Sequence, residues 1–396
     1  MMNRRAFIGR SVLASAAVML PDFLRGVYAA GLRPEEGGKV LVVVQLSGGN
    51  DGLNTIVPFR NDDYYSLRPA LALKKDEYFT FNDEIAFNNG LSGLRNLFDN
   101  GEMKVLNSVG YPNPDRSHFR AMDIWHTASD SNEFRSVGWL GKYLDHSCNG
   151  CALPHSVIEL DDALSLALKG ESVNGLAVSN PDRMRKAMSG PLMEALVSST
   201  VNGDDELSFI YKTLTEADKS VDYLYEQSKK YKVKKSFPNT AFARDLRLIA
   251  ELISAGSSTR VYYVSLSGFD THNNQKNRQL QLLKEYGDAM EAFRDELKLT
   301  GRWKDTLVLT FSEFGRRVEQ NASNGTDHGK ANSLWMTGGS IQKPGAFNQL
   351  PDLKKLDEGD LPFEVDFREV YASVLDNWLS TDADVILGRK FKRITI

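Results

Sequence analysis

The chain has 396 residues, 41% of them hydrophobic and 25% charged, and a formal net charge of −4. This balance excludes a predominantly disordered chain, which lacks the apolar content to build a core. It also excludes a dedicated nucleic-acid binder, which needs a basic stripe to neutralise phosphates.

The N-terminus reads as a targeting segment. Arg4 and Arg5 form a twin-arginine pair, a short apolar stretch runs from Ser11 to Leu20, and small residues follow at Ala29 and Ala30. That is a basic region, a modest apolar region and a cleavage-site pattern. The apolar run is half of the roughly 20 residues that span a bilayer, which argues against a stable membrane anchor. Residues 1–30 are therefore expected to be an export signal. The twin-arginine translocase would be a partner in transit, and the product would be periplasmic or secreted. Residues 1–29 carry four Arg and one Asp, so the remaining chain has a net charge of −7. The two cysteines, Cys148 and Cys151, lie in a loop-like Cys-Asn-Gly-Cys segment. They are expected to be a structural clip or two free thiols, since no strand–helix redox context surrounds them.

Residues 31–396 read as one α/β domain. Lys39–Leu46 is a continuous apolar run ending in Ser-Gly-Gly-Asn-Asp-Gly, the pattern of a strand buried on both faces. Met103–Val109 is a second strand, with a Pro-rich turn and a helix starting near Ser117 after it. A helical stretch with strong charge covers 204–232, and Thr240–Ala255 carries an apolar helical stripe. Arg260–Leu266 is a third strand, followed by a helix over Gln279–Leu299 that Gly301 stops. Thr306–Phe311 and Ser333–Thr337 are further strands, and Phe367–Leu379 is a closing helix. Strands alternating with helices imply a mostly parallel sheet covered on both faces. The span of about 155–240 has few strand signals and reads as a helical insertion over one edge, placed to cap a pocket.

Chemistry-bearing residues gather where these strands end. Asp51 follows the first strand, Ser117 the second, Asp270 and His272 the third, and Glu313 the fourth, while Asp327 and His328 precede the fifth. In an open α/β sheet, ligands bind outside the carboxyl ends of the strands, so these segments can meet at one edge. Asp, Glu and His without thiolate suit a divalent Zn, Mn, Mg or Ca ion, and one or two ions are expected. Each segment also has a plain structural reading. The Gly-rich run at 47–52 can be a tight turn, Asp270 and Ser117 can be helix caps, and Arg316 can neutralise Glu313. Ser117 at a helix start sits near free N–H groups that favour an attacking alkoxide or a bound anion. No Gly-x-Ser-x-Gly elbow, dinucleotide fingerprint or Walker lysine motif occurs.

Several motifs together resemble the domain-of-unknown-function 1501 family of exported bacterial proteins. They are Leu46-Ser-Gly-Gly-Asn-Asp-Gly-Leu-Asn-Thr55, Arg116-Ser-His-Phe119, Gly138-Trp-Leu-Gly141, Gly268-Phe-Asp-Thr-His272, Ser312-Glu-Phe-Gly-Arg316, Gly325-Thr-Asp-His-Gly329 and Asp366-Phe-Arg-Glu-Val-Tyr371. The family is similar in fold to the alkaline phosphatase and sulfatase superfamily. The resemblance implies an alkaline-phosphatase-like three-layer αβα sandwich with a mostly parallel central sheet. It also implies a metal-dependent hydrolase of phosphate or sulfate esters, acting on an anionic small molecule or polymer. On that reading Asp51, Asp270, His272, Glu313, Asp327 and His328 bind metal, Ser117 attacks, and Asn50, Asn54, His118 and Arg316 hold substrate. The close Asp270-Thr-His272 spacing and Glu313-Phe314 in place of an Asp-His pair depart from the superfamily. They motivate an alternative, an inactive binding or assembly protein of the cell envelope with a structural ion.

Overall fold

Every residue of Val40–Ser47 (β1) except the last is buried, and the two faces of this strand feed two different cores. Val40, Val42, Val44 and Leu46 point to one side, Leu41 and Val43 to the other. This is why the run is continuously apolar and not alternating. The computed structural model describes residues 38–147, 153–190 and 206–396, with side chains from 213 onward in the last segment. The expected leader at 1–30 and the pair Cys148 and Cys151 lie outside the described residues.

β1 lies within a nine-stranded sheet. Ile56–Val57 (β2), Tyr78–Thr80 (β3) and Ala86–Asn88 (β4) form a small antiparallel sheet of their own. The large sheet takes Met103–Gly110 (β5), Val157–Glu159 (β6), Leu176–Ala177 (β7), Val261–Ser267 (β8), Thr306–Phe311 (β9), Asn332–Gly338 (β10), Gly345–Ala346 (β11) and Val365–Asp366 (β12). Its order is β11-β5-β10-β9-β1-β8-β6-β7, with β12 also on β5. β7, β6, β8, β1 and β9 pair in parallel; β10 runs antiparallel to both β9 and β5. The five strands read from the sequence all form, and the sheet is mostly parallel, as expected. The two short strands β6 and β7 come from a stretch read as helical, because two or three residues show no periodicity.

Helices cover both faces. His118–Thr127 (α1), Trp139–Ser147 (α2) and Phe367–Ser373 (α6) pack on one side, through Ile124, Trp125, Leu140, Leu144 and Val370. Ala241–Ser254 (α4) and Gln275–Leu299 (α5) pack on the other, through Leu246, Ile249, Leu283, Tyr286 and Met290. Glu206–Lys230 (α3) adds Val221 and Leu224 to that second core. The expected closing helix forms, as α6 followed directly by a π-helical turn over Val374–Trp378, and Trp378 donates its indole N–H to the Val40 carbonyl at 2.9 Å. Among the described residues no helix is long and apolar enough to cross a membrane.

Two histidines are built into the cores. His126 of α1 meets Gln45 of β1 at 3.3 Å and Tyr263 of β8 at 3.1 Å through Nε2. His155 bonds Ser220 at 3.1 Å and stacks on Tyr223. Burial pushes both rings down to about 4 from the usual 6.5. The unfolded chain therefore binds more protons than the native one between about pH 6.5 and 4. Stability is complete above that window and falls as pH drops through it, by up to about 3 kcal/mol per ring. The melting temperature is expected to fall on acidification across this range. In His126→Gln, which removes one titrating ring, the fall is expected to be shallower; an equally steep profile would overturn the assignment.

Candidate metal centre

The register aligns the carboxyl ends of three strands. Ser47 pairs with Ser267 across β1 and β8, and Gln45 with Phe311 across β1 and β9. The loops at 48–54, 268–274 and 312–317 therefore leave the sheet side by side. β10 runs in the opposite sense, so its start, not its end, lies at this edge. That is how Asp327 and His328, which precede a strand, reach the same place as residues that follow one.

Close approach of these loops sets their sequence. Gly48 and Gly49 adopt φ of +118° and +76°; a Cβ on Gly48 would lie 2.4 Å from the Asp270 amide nitrogen, and one on Gly49 2.3 Å from the Phe314 ring. Gly325 passes His272 so closely that a Cβ would sit 2.2 Å from its carbonyl. Only glycine permits either approach. Arg316 then ties the loops together. It is 2% exposed and donates to the carbonyls of Gly48, Gly49 (2.6 Å), Phe269 (2.8 Å) and Thr326 (3.0 Å), and to Asp270 at 2.9 Å.

Four side chains meet at the resulting mouth. One ligand atom each from His118, Asp270 and His328 lie within 4.8 Å of one another. His272 joins them, its Nε2 lying 3.1 Å from Asp270 Oδ1 and 3.0 Å from His328 Nε2. His328 Nε2 is 3.2 Å from the same Asp270 oxygen, and His118 Nε2 is 3.5 Å from the other. Each ring is held from behind at Nδ1. His118 faces the buried Glu313 at 2.9 Å, His272 faces Asp327 at 3.3 Å, and His328 donates to the Arg116 carbonyl at 2.7 Å. A neutral ring that donates its Nδ1–H carries a lone pair at Nε2. Two such nitrogens 3.0 Å apart beside a carboxylate repel unless they share a proton or a metal ion.

The charges agree with this geometry. Burial works to raise the Asp270 carboxyl, but the Arg316 guanidinium, through its hydrogen bond and its charge, outweighs it and brings it down to about 2. A hydrogen bond from Asn321 lowers Asp327. The Glu313 hydrogen bond raises His118, whereas burial lowers His328. The mouth is open: the Asp270 and His272 side chains are 48% and 43% exposed.

The structure places Asp270, His272, Asp327 and His328 at one mouth, and several of the other candidates away from it. Asp51 is buried and paired with Arg68 at 2.5 Å; Gln275 also donates to it, and its other oxygen caps Leu53 at 3.2 Å. It is an internal counter-ion and does not face the mouth. Glu313 lies behind His118, its Oε1 also accepting from Gly48 at 2.8 Å. Asn50 and Asn54, expected to hold substrate, are each 1% exposed, and Asn54 is bonded to Leu71, Tyr64 and Arg68. Arg316 pairs with Asp270 rather than Glu313, and its donors serve the loops. His118, expected to hold substrate, turns its ring into the cluster. The Arg116-Ser-His-Phe119 motif carried that signal, but the hydroxyl beside it drew the assignment. Ser117 itself caps α1 with its backbone; its hydroxyl is exposed and makes no hydrogen bond among the described residues.

No curated protein matches this chain. Solved structures similar to it include the PsFucS1 sulfatase from Pseudoalteromonas sp., at 11% identity and TM-score 0.40, covering 90% of this chain and 70% of that one. The C-terminal periplasmic domain of EcEptC from Escherichia coli, in complex with Zn, is similar at 11% identity and TM-score 0.33, over 78% of this chain and 75% of that one. Alkaline phosphatase PafA, as a mutant, is similar at 12% identity and TM-score 0.34, over 71% and 63%. Residues 212–386 match the family described as "Protein of unknown function (DUF1501)", which bears out the family resemblance carried by the motifs at 268–272, 312–316, 325–329 and 366–371.

Proposed function

We propose that this chain is an exported, metal-dependent hydrolase of phosphate or sulfate esters, working in the periplasm or outside the cell. The observation that carries the reading is the convergence of three imidazole Nε2 atoms on Asp270, each ring fixed at Nδ1 by a carboxylate or a carbonyl. Rings that bind metal are held in this way, because the partner sets the tautomer and the orientation. His118, Asp270, His272 and His328 would hold the ion. Glu313, Asp327 and the Arg116 carbonyl would orient the rings. A donor set of three imidazoles and one carboxylate suits zinc or manganese better than calcium or magnesium.

A bound divalent ion supplies Lewis-acid polarisation of an ester oxygen and stabilises the negative charge of the transition state. The chain's own groups do the rest. The Ser117 hydroxyl is exposed at the N-terminus of α1, between Arg116, whose carbonyl holds His328, and His118. The free N–H groups and the positive dipole end there favour an ionised hydroxyl and an anionic ester. The Ser117 oxygen, its proton given up to solvent, would bond to phosphorus or sulfur as the ester oxygen leaves and takes a proton from water, and a second water would then cleave the seryl ester and restore the hydroxyl. Arg316 keeps Asp270 ionised while the loops it ties stay in place.

The test is elemental analysis of the purified chain together with turnover of a panel of phosphate and sulfate esters. Asp270→Ala is expected to lose the ion and all turnover. Ser117→Ala is expected to keep the ion and lose turnover by on the order of a thousandfold or more. Glu313→Gln, which removes the charge behind His118, is expected to weaken metal affinity by about 10–100-fold. Tight metal retention with no hydrolysis across the panel would favour the binding or assembly role instead. An ion retained equally well by Asp270→Ala would overturn the site.

A further inference from the structure

We propose that the site holds one divalent ion per chain and not two, because the guanidinium of Arg68 permanently occupies the carboxylate that a second ion would need. The inference rests on the metal-dependent reading above and deepens it. A two-ion site needs a second group of oxygen donors beside the first. The sequence supplied two carboxylates for that purpose, Asp51 and Glu313, and the structure spends both internally.

Both oxygens of Asp51 are already engaged inside the protein. Oδ2 accepts from Arg68 Nη1 at 2.5 Å and from the Gln275 amide, and Oδ1 accepts from the Leu53 N–H at 3.2 Å. The Arg68 side chain is fully buried, and its partner's is 1% exposed. The guanidinium is fixed on every side: Nε donates to the Val318 carbonyl at 2.7 Å, Nη1 also to Asn54 Oδ1 at 3.1 Å, and Nη2 to the Arg317 carbonyl at 2.8 Å. A planar fork with this many matched acceptors is held more firmly than an ammonium would be. Displacing it with an ion would leave a buried guanidinium without its counter-charge, which is strongly unfavourable. An ion added beside it would meet a positive charge.

Glu313 is spent in the same way. Its side chain is fully buried, and Oε1 accepts from both Gly48 and His118. Asp327 faces His272 Nδ1 and Asn321. Asp270 remains as the one carboxylate that all three Nε2 atoms approach, which suits a single ion.

Arg68 therefore stands where a second cation would otherwise neutralise Asp51. Gln275, which donates to Asp51, accepts from the Thr326 hydroxyl at 2.6 Å, next to Asp327 and His328.

The experiment counts ions. The full chain is saturated with zinc, freed of unbound metal and analysed for zinc per chain. A chelator titration gives an independent count. Asp270→Asn and the paired variant Asp51→Asn/Arg68→Met, which removes both buried charges at once, are measured beside it, with circular dichroism to confirm folding. The wild type is expected to hold close to one zinc, Asp270→Asn close to none, and the paired variant close to one. Two zinc ions per wild-type chain would overturn the inference and leave the metal-dependent reading standing. A folded paired variant without zinc would overturn it as well, because Asp51 would then belong to the ion's own site. A wild type without zinc would overturn both. Should the paired variant not fold, the wild-type count alone decides between one ion and two.

Discussion

The loops that form the mouth leave the sheet without ladder partners, and their carbonyls need donors. Backbone polar groups buried without a partner are costly, so some side chain must supply what the sheet no longer can. Arg316 does this from one buried position, giving hydrogen bonds to four carbonyls on three separate loops. The same guanidinium ends on Asp270. Loop architecture and carboxylate charge are thus one interaction. The cluster is open to solvent, yet its central acid is held ionised from underneath.

The sheet was legible because burial on both faces leaves an unambiguous mark. Val40–Ser47 and Thr306–Phe311 read as apolar runs, since almost no residue on either side of the strand meets water, and Val261–Ser267 does so over its first four residues. β6 and β7 were not legible, because two or three residues carry no period. The antiparallel sense of β10 was not written in its composition either. It follows from position: chemistry-bearing residues stand before this strand and after the others, and only a reversed strand brings both to one edge.

The site was partly legible for a related reason. Gly325-Thr-Asp-His-Gly329 and Gly268-Phe-Asp-Thr-His272 combine tight backbone with polar side chains, which core packing does not require. Their roles could not be read to the same depth. Whether an acid faces an ion or a neighbour depends on what lies behind it, and that partner is remote in sequence. Arg68 is 17 residues from Asp51, and Glu313 is 195 from His118. At the start of α1 the ring of His118 enters the cluster beside the exposed Ser117, a placement that the motif alone does not specify.

Four acids fall into three kinds by what opposes them. Asp51 meets a fixed cation and is neutralised inside the protein. Glu313 and Asp327 meet imidazole Nδ1 atoms and pass their charge to a ring. Asp270 meets Arg316 on one side but turns toward three Nε2 atoms on the other. The first arrangement ends in a closed pair, whose burial costs desolvation and whose return is rigidity. The second does not close, because each ring transmits negative potential onward to its free nitrogen. Three rings doing so around one carboxylate concentrate that potential at a single exposed point. A cation placed there is drawn by groups that cannot relax toward it, since Glu313, Asp327 and the Arg116 carbonyl already fix the rings. That rigidity, more than the number of acids, distinguishes a built binding position from a solvated acidic surface.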